Sequence, residues 1–207
     1  HELGTDYMRG IDAAARAAHT ELLPKMAAIG FTAATVPAEY GGVGGGALDA
    51  AVLLEELGRT SLTAASILNS AIGAGCAAIC NFGNDAQKRE WLPRVLRGEI
   101  WFACALAPAF PCSEMNEIAP RAIADGDHYV IDGGKNHALG AAGAHRVIVA
   151  AHIGPADIGL FALNPQTPGL AMRERKSIGM RGAGGLYELN YKKVRAPCSA
   201  LLSSRAG

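Results

Sequence analysis

The chain has 207 residues, with 19 Lys plus Arg against 19 Asp plus Glu, so its formal net charge is zero. That balance excludes the electrostatic footprint of a nucleic-acid or anionic-membrane binder. Half of the residues are hydrophobic and 18% are charged, which excludes a disordered chain and gives enough apolar surface for one or two domains.

From Gly4 to Gly98 the pattern is helical, with Ala, Leu, Met and Glu between short Gly and Pro breaks. The spacing predicts a helix over Glu21–Ala28, ended by Gly30. A second runs over Ala47–Leu57, with Gly58 as its stop. A third covers Asp85–Leu96, capped by Asn84 or Asp85 and closed by Gly98. Between the last two, Thr60 to Asn84 carries no charge and is long enough to span a bilayer. Ser61, Thr63, Ser66, Asn69, Ser70, Asn81 and Asn84 make it too polar for lipid. A buried helix rich in small residues is expected there, without membrane insertion.

From Ile100 the pattern changes to short strands, over Ile100–Leu106, Tyr129–Asp132, Arg146–Ala151, Gly159–Leu163 and Leu186–Tyr191. Turn clusters separate them at Asp125–Asp127, Asp132–Gly134, Pro165–Gly169 and Arg181–Gly185. The expected fold is α+β. An N-terminal helical bundle domain, residues 1–99, precedes a small β-barrel or sandwich domain, residues 100–207.

Local motifs are sparse. The five cysteines, at 76, 80, 104, 112 and 198, form no CxxC, and an odd count argues against a disulfide scaffold. Cys76 and Cys80 are expected as core thiols, and a reducing cytoplasm as the compartment. No signal-peptide pattern opens the chain. Gly42–Ala47 loosely fits a GxGxxA dinucleotide loop. A Pro37-containing turn precedes it rather than a strand, and no acid follows near twenty residues on, so an interhelix turn is expected. The histidines are scattered, which gives no metal site. Glu55 and Glu56 are sequence neighbours and share no helix face for paired acid–base work.

Ordered blocks then carry a resemblance over nearly the whole chain. They are LPKMAAIGFTAATVPAEYGGVGGG (Leu23–Gly46), LLEELGRT (Leu53–Thr60), FGNDAQKREWLPRVLRGEIWFACAL (Phe82–Leu106), DGDHYVIDGGK (Asp125–Lys135), TPGL (Thr167–Leu170), GMRG (Gly179–Gly182) and KKVRAP (Lys192–Pro197). Together they resemble the first two domains of the acyl-CoA dehydrogenase family. The resemblance implies FAD as cofactor and an acyl-CoA thioester as substrate, oxidised at Cα–Cβ. In that family a carboxylate base takes the α-proton and the flavin N5 takes the β-hydride. Hydrogen bonds to the thioester carbonyl stabilise the enolate-like charge. It also implies a homo- or hetero-oligomer, a dimer or tetramer. The family's C-terminal helical domain, which carries its usual base, is not matched here, so no catalytic residue is assigned.

The resemblance places the flavin edge against Cys104, Leu106, Ala107 and Ser113, and the ring against His137 and Leu139. Ser113 also stands near the CoA arm. Ala107–Glu114 departs from the family's Thr-Glu-Pro-x-Ala-Gly-Ser-Asp. Ala107 replaces a hydroxyl that meets the flavin, and Pro108 and Pro111 each remove a backbone donor. His137 replaces an aromatic residue that lies against the ring, and Leu139 a hydroxyl residue near N5. Two alternatives follow from these departures and from the fold. One is a non-catalytic, flavin-poor partner of an active paralogue. The other is a flavin monooxygenase, since Ser177–Gly185 resembles a stretch seen in both branches.

Overall fold

The computed structural model describes residues 6–7, 10, 18–106, 120–155, 157–176 and 184–202. Helix α1 (Ala18–Ala28) buries Leu22, Leu23 and Met26 completely, the i, i+1, i+4 face that periodicity demands. Two 3₁₀ turns, Phe31–Ala33 and Ala38–Tyr40, lead to α2 (Ala47–Thr60).

Helix α2 runs past the expected stop at Gly58. The break falls at Ser61, whose hydroxyl accepts a hydrogen bond from the Ala64 amide at 3.2 Å and so starts α3 (Leu62–Leu68). An exposed glycine costs a helix about 1 kcal/mol, less than a terminator needs when a hydroxyl cap stands three residues on.

Helix α3 continues through a π-helical segment, Asn69–Gly75, into α4 (Cys76–Phe82). This Leu62–Phe82 run is long and apolar enough to cross a membrane by length and composition, yet Ile67, Leu68, Ile72 and Ile79 lie in the protein core. Thr35 donates to the Ile72 carbonyl at 3.4 Å, meeting a group in the widened turn. Helix α5 (Asp85–Leu96) opens on reciprocal caps. The Gln87 amide donates to Asn84 Oδ1 and the Asn84 amide to Gln87 Oε1, both at 2.9 Å.

Eight strands follow among the described residues: β1 (Phe102–Ala105), β2 (Arg121–Asp125), β3 (His128–Leu139), β4 (Arg146–His152), β5 (Ile158–Leu163), β6 (Leu170–Arg175), β7 (Leu186–Pro197) and β8 (Leu201–Leu202). They form one mixed sheet in the order β6-β7-β3-β2-β4-β5-β8, with β1 parallel to β4. The fold is α+β.

The expected turn at Asp132–Gly134 is instead a bulge inside a 12-residue strand. Gly133 and Gly134 take φ of 79° and 66°, a conformation that absorbs the extra residues while β7 stays paired on both sides. Strands β2 and β6 escape the sequence pattern because little of them is buried, and β8 because it is only two residues long. In β2 only Ala122 is buried, and β6 buries none of its six residues. Pairing with β3 sets the place of β2, pairing with β7 that of β6, and pairing with β5 that of β8. A single hydrophobic cluster joins the helices to the sheet, with the Trp91 ring of α5 5.5 Å from Phe102 of β1.

Candidate functional site

Helix α3 and its π segment cross β1 at close range. A Cβ on Gly75 would stand 2.8 Å from Phe102 Cβ and 2.8 Å from the Ser70 carbonyl oxygen, so only glycine lets the two backbones meet here. Beside this crossing lies a cleft of about 280 Å³. Ser66, Asn69, Ser70 and Ala74 line its helical wall, and Cys104 of β1 and Leu139 of β3 line the sheet wall. π-Helical turns bring i and i+5 together and recur at functional sites, which keeps Asn69 and Ala74 on one face.

Two residues expected at the flavin, Cys104 and Leu139, are thus brought together. Cys104 is half-buried, and burial pushes its thiol up to about 12. It is a neutral side chain at physiological pH rather than a nucleophile. His137 stands two residues before Leu139 on β3, so the two share a strand face. His137 is not among the described residues that line the cleft, and its buried Nε2 has no hydrogen-bond partner among the described residues. Leu106 follows β1 and is 38% exposed, outside the lining of the cleft. Ala107 and Ser113 lie outside the described residues, as do Gly179–Gly182.

A flat heteroaromatic group fits this face in part. Leu139 gives the cleft an apolar surface against which such a ring could lie, while the buried His137 nitrogen is closed off from it. Leu139 has no hydrogen bond to give.

The Gly42–Ala47 loop does not form a phosphate site. The Gly46 amide donates to Asp49 Oδ2 at 2.8 Å, so the N-terminus of α2 is met by its own carboxylate. Cys76 is buried as expected, Cys80 half-buried, and neither is in a disulfide. Among the described residues no group of three His, Cys, Asp or Glu side chains could hold a metal ion.

The helical wall was missed from sequence as a site. Ser66, Asn69 and Ser70 are polar at i, i+3 and i+4 in an otherwise apolar run, the signal that could have found it.

The helical layer, the mixed sheet and the cleft between them define a two-part α+β architecture known from other proteins. The family description "Acyl-CoA dehydrogenase, N-terminal domain" matches residues 2–99. Acryloyl-CoA reductase (NADH) of Anaerotignum propionicum is 31% identical over 189 residues, covering 88% of this chain and 48% of that protein. Acyl-CoA dehydrogenase FadE12 of Mycobacterium tuberculosis is 30% identical over 201 residues, 94% of this chain and 51% of that one. An acyl-CoA dehydrogenase from Bacillus anthracis, solved as a complex with FAD, superposes with a TM-score of 0.82 at 26% identity, covering 95% of this chain and 34% of that one. The chain belongs to the acyl-CoA dehydrogenase family. It spans about half the length of most of the curated relatives it matches.

Proposed function

We propose that this chain forms the helical and strand domains, residues 1–99 and 100–207, of an FAD-dependent oxidoreductase that acts on the Cα–Cβ bond of an acyl-CoA thioester. The observation that carries this reading is the cleft at the α3–β1 crossing, which opens between Cys104 and Leu139 and a helical wall. When bound, FAD supplies the acceptor for the two electrons of that oxidation.

The chain's own residues bind and orient. In this reading the His137 ring lies toward the cofactor from the Leu139 side of β3. Cys104 and Leu106 flank it from the end of β1, and Leu139 closes its apolar side. Ala107 and Ser113 complete the cofactor edge in this reading, with Ser113 also toward the thioester. The Leu62–Phe82 rod keeps water from the far side of the cleft through its buried face. No residue of this chain is assigned as the base. The working protein is a homo- or hetero-oligomer in the cytoplasm.

A second reading is favoured by one observation. Leu139 lines the cleft but cannot hydrogen-bond, which fits a flavin-poor partner subunit of a catalytic paralogue.

Quenching of FAD fluorescence on titration with the protein separates them. The first reading predicts saturable uptake of about one flavin per chain, weakened by His137→Ala. Absence of saturable uptake, with or without a co-expressed homologous chain, overturns it and leaves the partner reading.

A further inference from the structure

We infer that the cleft selects a short acyl group bearing a neutral hydrogen-bonding substituent, a hydroxyl or carbonyl, over both a plain alkyl chain and a carboxylate. This rests on the proposed function, with the cofactor against the sheet wall of Cys104 and Leu139 and the acyl group against the helical wall.

The helical wall carries the inference. Ser66, Asn69 and Ser70 face the cleft where a plain hydrocarbon would call for Leu, Val or Phe. Ser70 donates its hydroxyl to the Ser66 carbonyl at 3.0 Å, so that hydrogen is spent within the helix. Asn69 is exposed at the cleft; its backbone N–H is spent within the helix, and its side chain carries no hydrogen bond among the described residues. Its amide can both donate and accept.

Gly73 sets the position of that amide. A methyl at this residue would collide with Asn69 Oδ1, so the carboxamide lies back over the helix only because residue 73 is glycine. The widened π turn and Gly73 together hold Asn69 beside Ala74 at the mouth of the cleft.

Charge excludes the carboxylate. No Lys, Arg or His is among the described residues lining the cleft, and the Cys104 thiol is neutral. An acyl carboxylate would lose its hydration without a cation to meet it. A hydroxyl can pair with the Asn69 amide, whereas an alkyl chain of the same size only displaces water from it.

Calorimetric titration of the protein with a matched set of thioesters tests this without turnover. 4-Hydroxybutyryl-CoA and pentanoyl-CoA differ by a hydroxyl in place of a methyl, and succinyl-CoA adds the charge. The expected order is 4-hydroxybutyryl tightest, by about tenfold over pentanoyl, with succinyl weakest. Asn69→Leu should abolish or invert the hydroxyl preference. Gly73→Ala, which displaces the amide but leaves it present, should reduce it. Equal binding of the first two, or tightest binding of succinyl-CoA, overturns this inference and leaves the acyl-CoA reading standing. Failure of all three to bind, with FAD and any homologous chain supplied, overturns both.

Discussion

The His19 imidazole stacks on the Trp101 indole, with centroids 4.8 Å apart and planes 25° from parallel. This pair fastens α1 to the start of the sheet. Trp101 Nε1 also donates to the Gly140 carbonyl at 3.3 Å, which ties the same residue to the end of β3. Burial holds His19 neutral by lowering its pKa from 6.5 to about 4.

That shift makes stability depend on pH. The unfolded chain binds the His19 proton more readily than the native one between pH 6.5 and about 4. The stabilisation is therefore present above pH 6.5 and is lost as pH falls toward 4. At pH 5 it amounts to a loss of about 2 kcal/mol relative to pH 7. Urea unfolding at the two pH values should show this difference in the native protein and show it removed in His19→Phe. Equal pH dependence in the two proteins would contradict the buried neutral imidazole.

Two glycines should respond in opposite directions. Gly75→Ala forces a methyl between Phe102 and the Ser70 carbonyl, and overpacking of this kind costs about 1–3 kcal/mol. Gly58 lies inside α2 with open space where a Cβ would stand, so Gly58→Ala should stabilise by about 0.5–1 kcal/mol. Thermal melts of the two variants read the opposite signs directly.

Gln87 has two tasks. It closes the cap of α5 and donates through Nε2 to the Ser199 carbonyl at 3.0 Å, across to the far end of the sheet. Asn84→Ala should cost about 1 kcal/mol, the value of one cap. Gln87→Ala should cost more, because the part-buried bond to the Ser199 carbonyl is lost as well. Hydrogen exchange should rise at the first turn of α5 in both variants, and near Ser199 only in Gln87→Ala.

The departures from the family pattern at the proposed flavin positions form a reversible set. Restoring hydroxyl and indole side chains with Ala107→Thr, His137→Trp and Leu139→Thr together should tighten FAD binding by about tenfold or more, since each hydroxyl adds a donor. Unchanged affinity would mean that these positions do not limit cofactor binding.

Much of this was legible in the sequence. Helix α5 was found to the residue, because Asn84, Gln87 and the apolar period agree with one another. Strand β4 was found almost whole, since five consecutive residues after Arg146 are buried and apolar. Strand β3 was cut short at Gly133, because a glycine pair reads locally as a turn and only the β7 partner makes it a bulge. The strand half of the cleft was legible through Cys104 and Leu139, which the family pattern singles out. The helical half was not, because small polar residues inside an apolar run read as core punctuation until β1 is seen crossing them.

The most direct test of the account is the visible absorption of the purified protein, expressed with any neighbouring homologous chain and titrated anaerobically with 4-hydroxybutyryl-CoA. The account predicts a bound-flavin spectrum that bleaches as the thioester is added. A colourless protein that takes up no added FAD would contradict it.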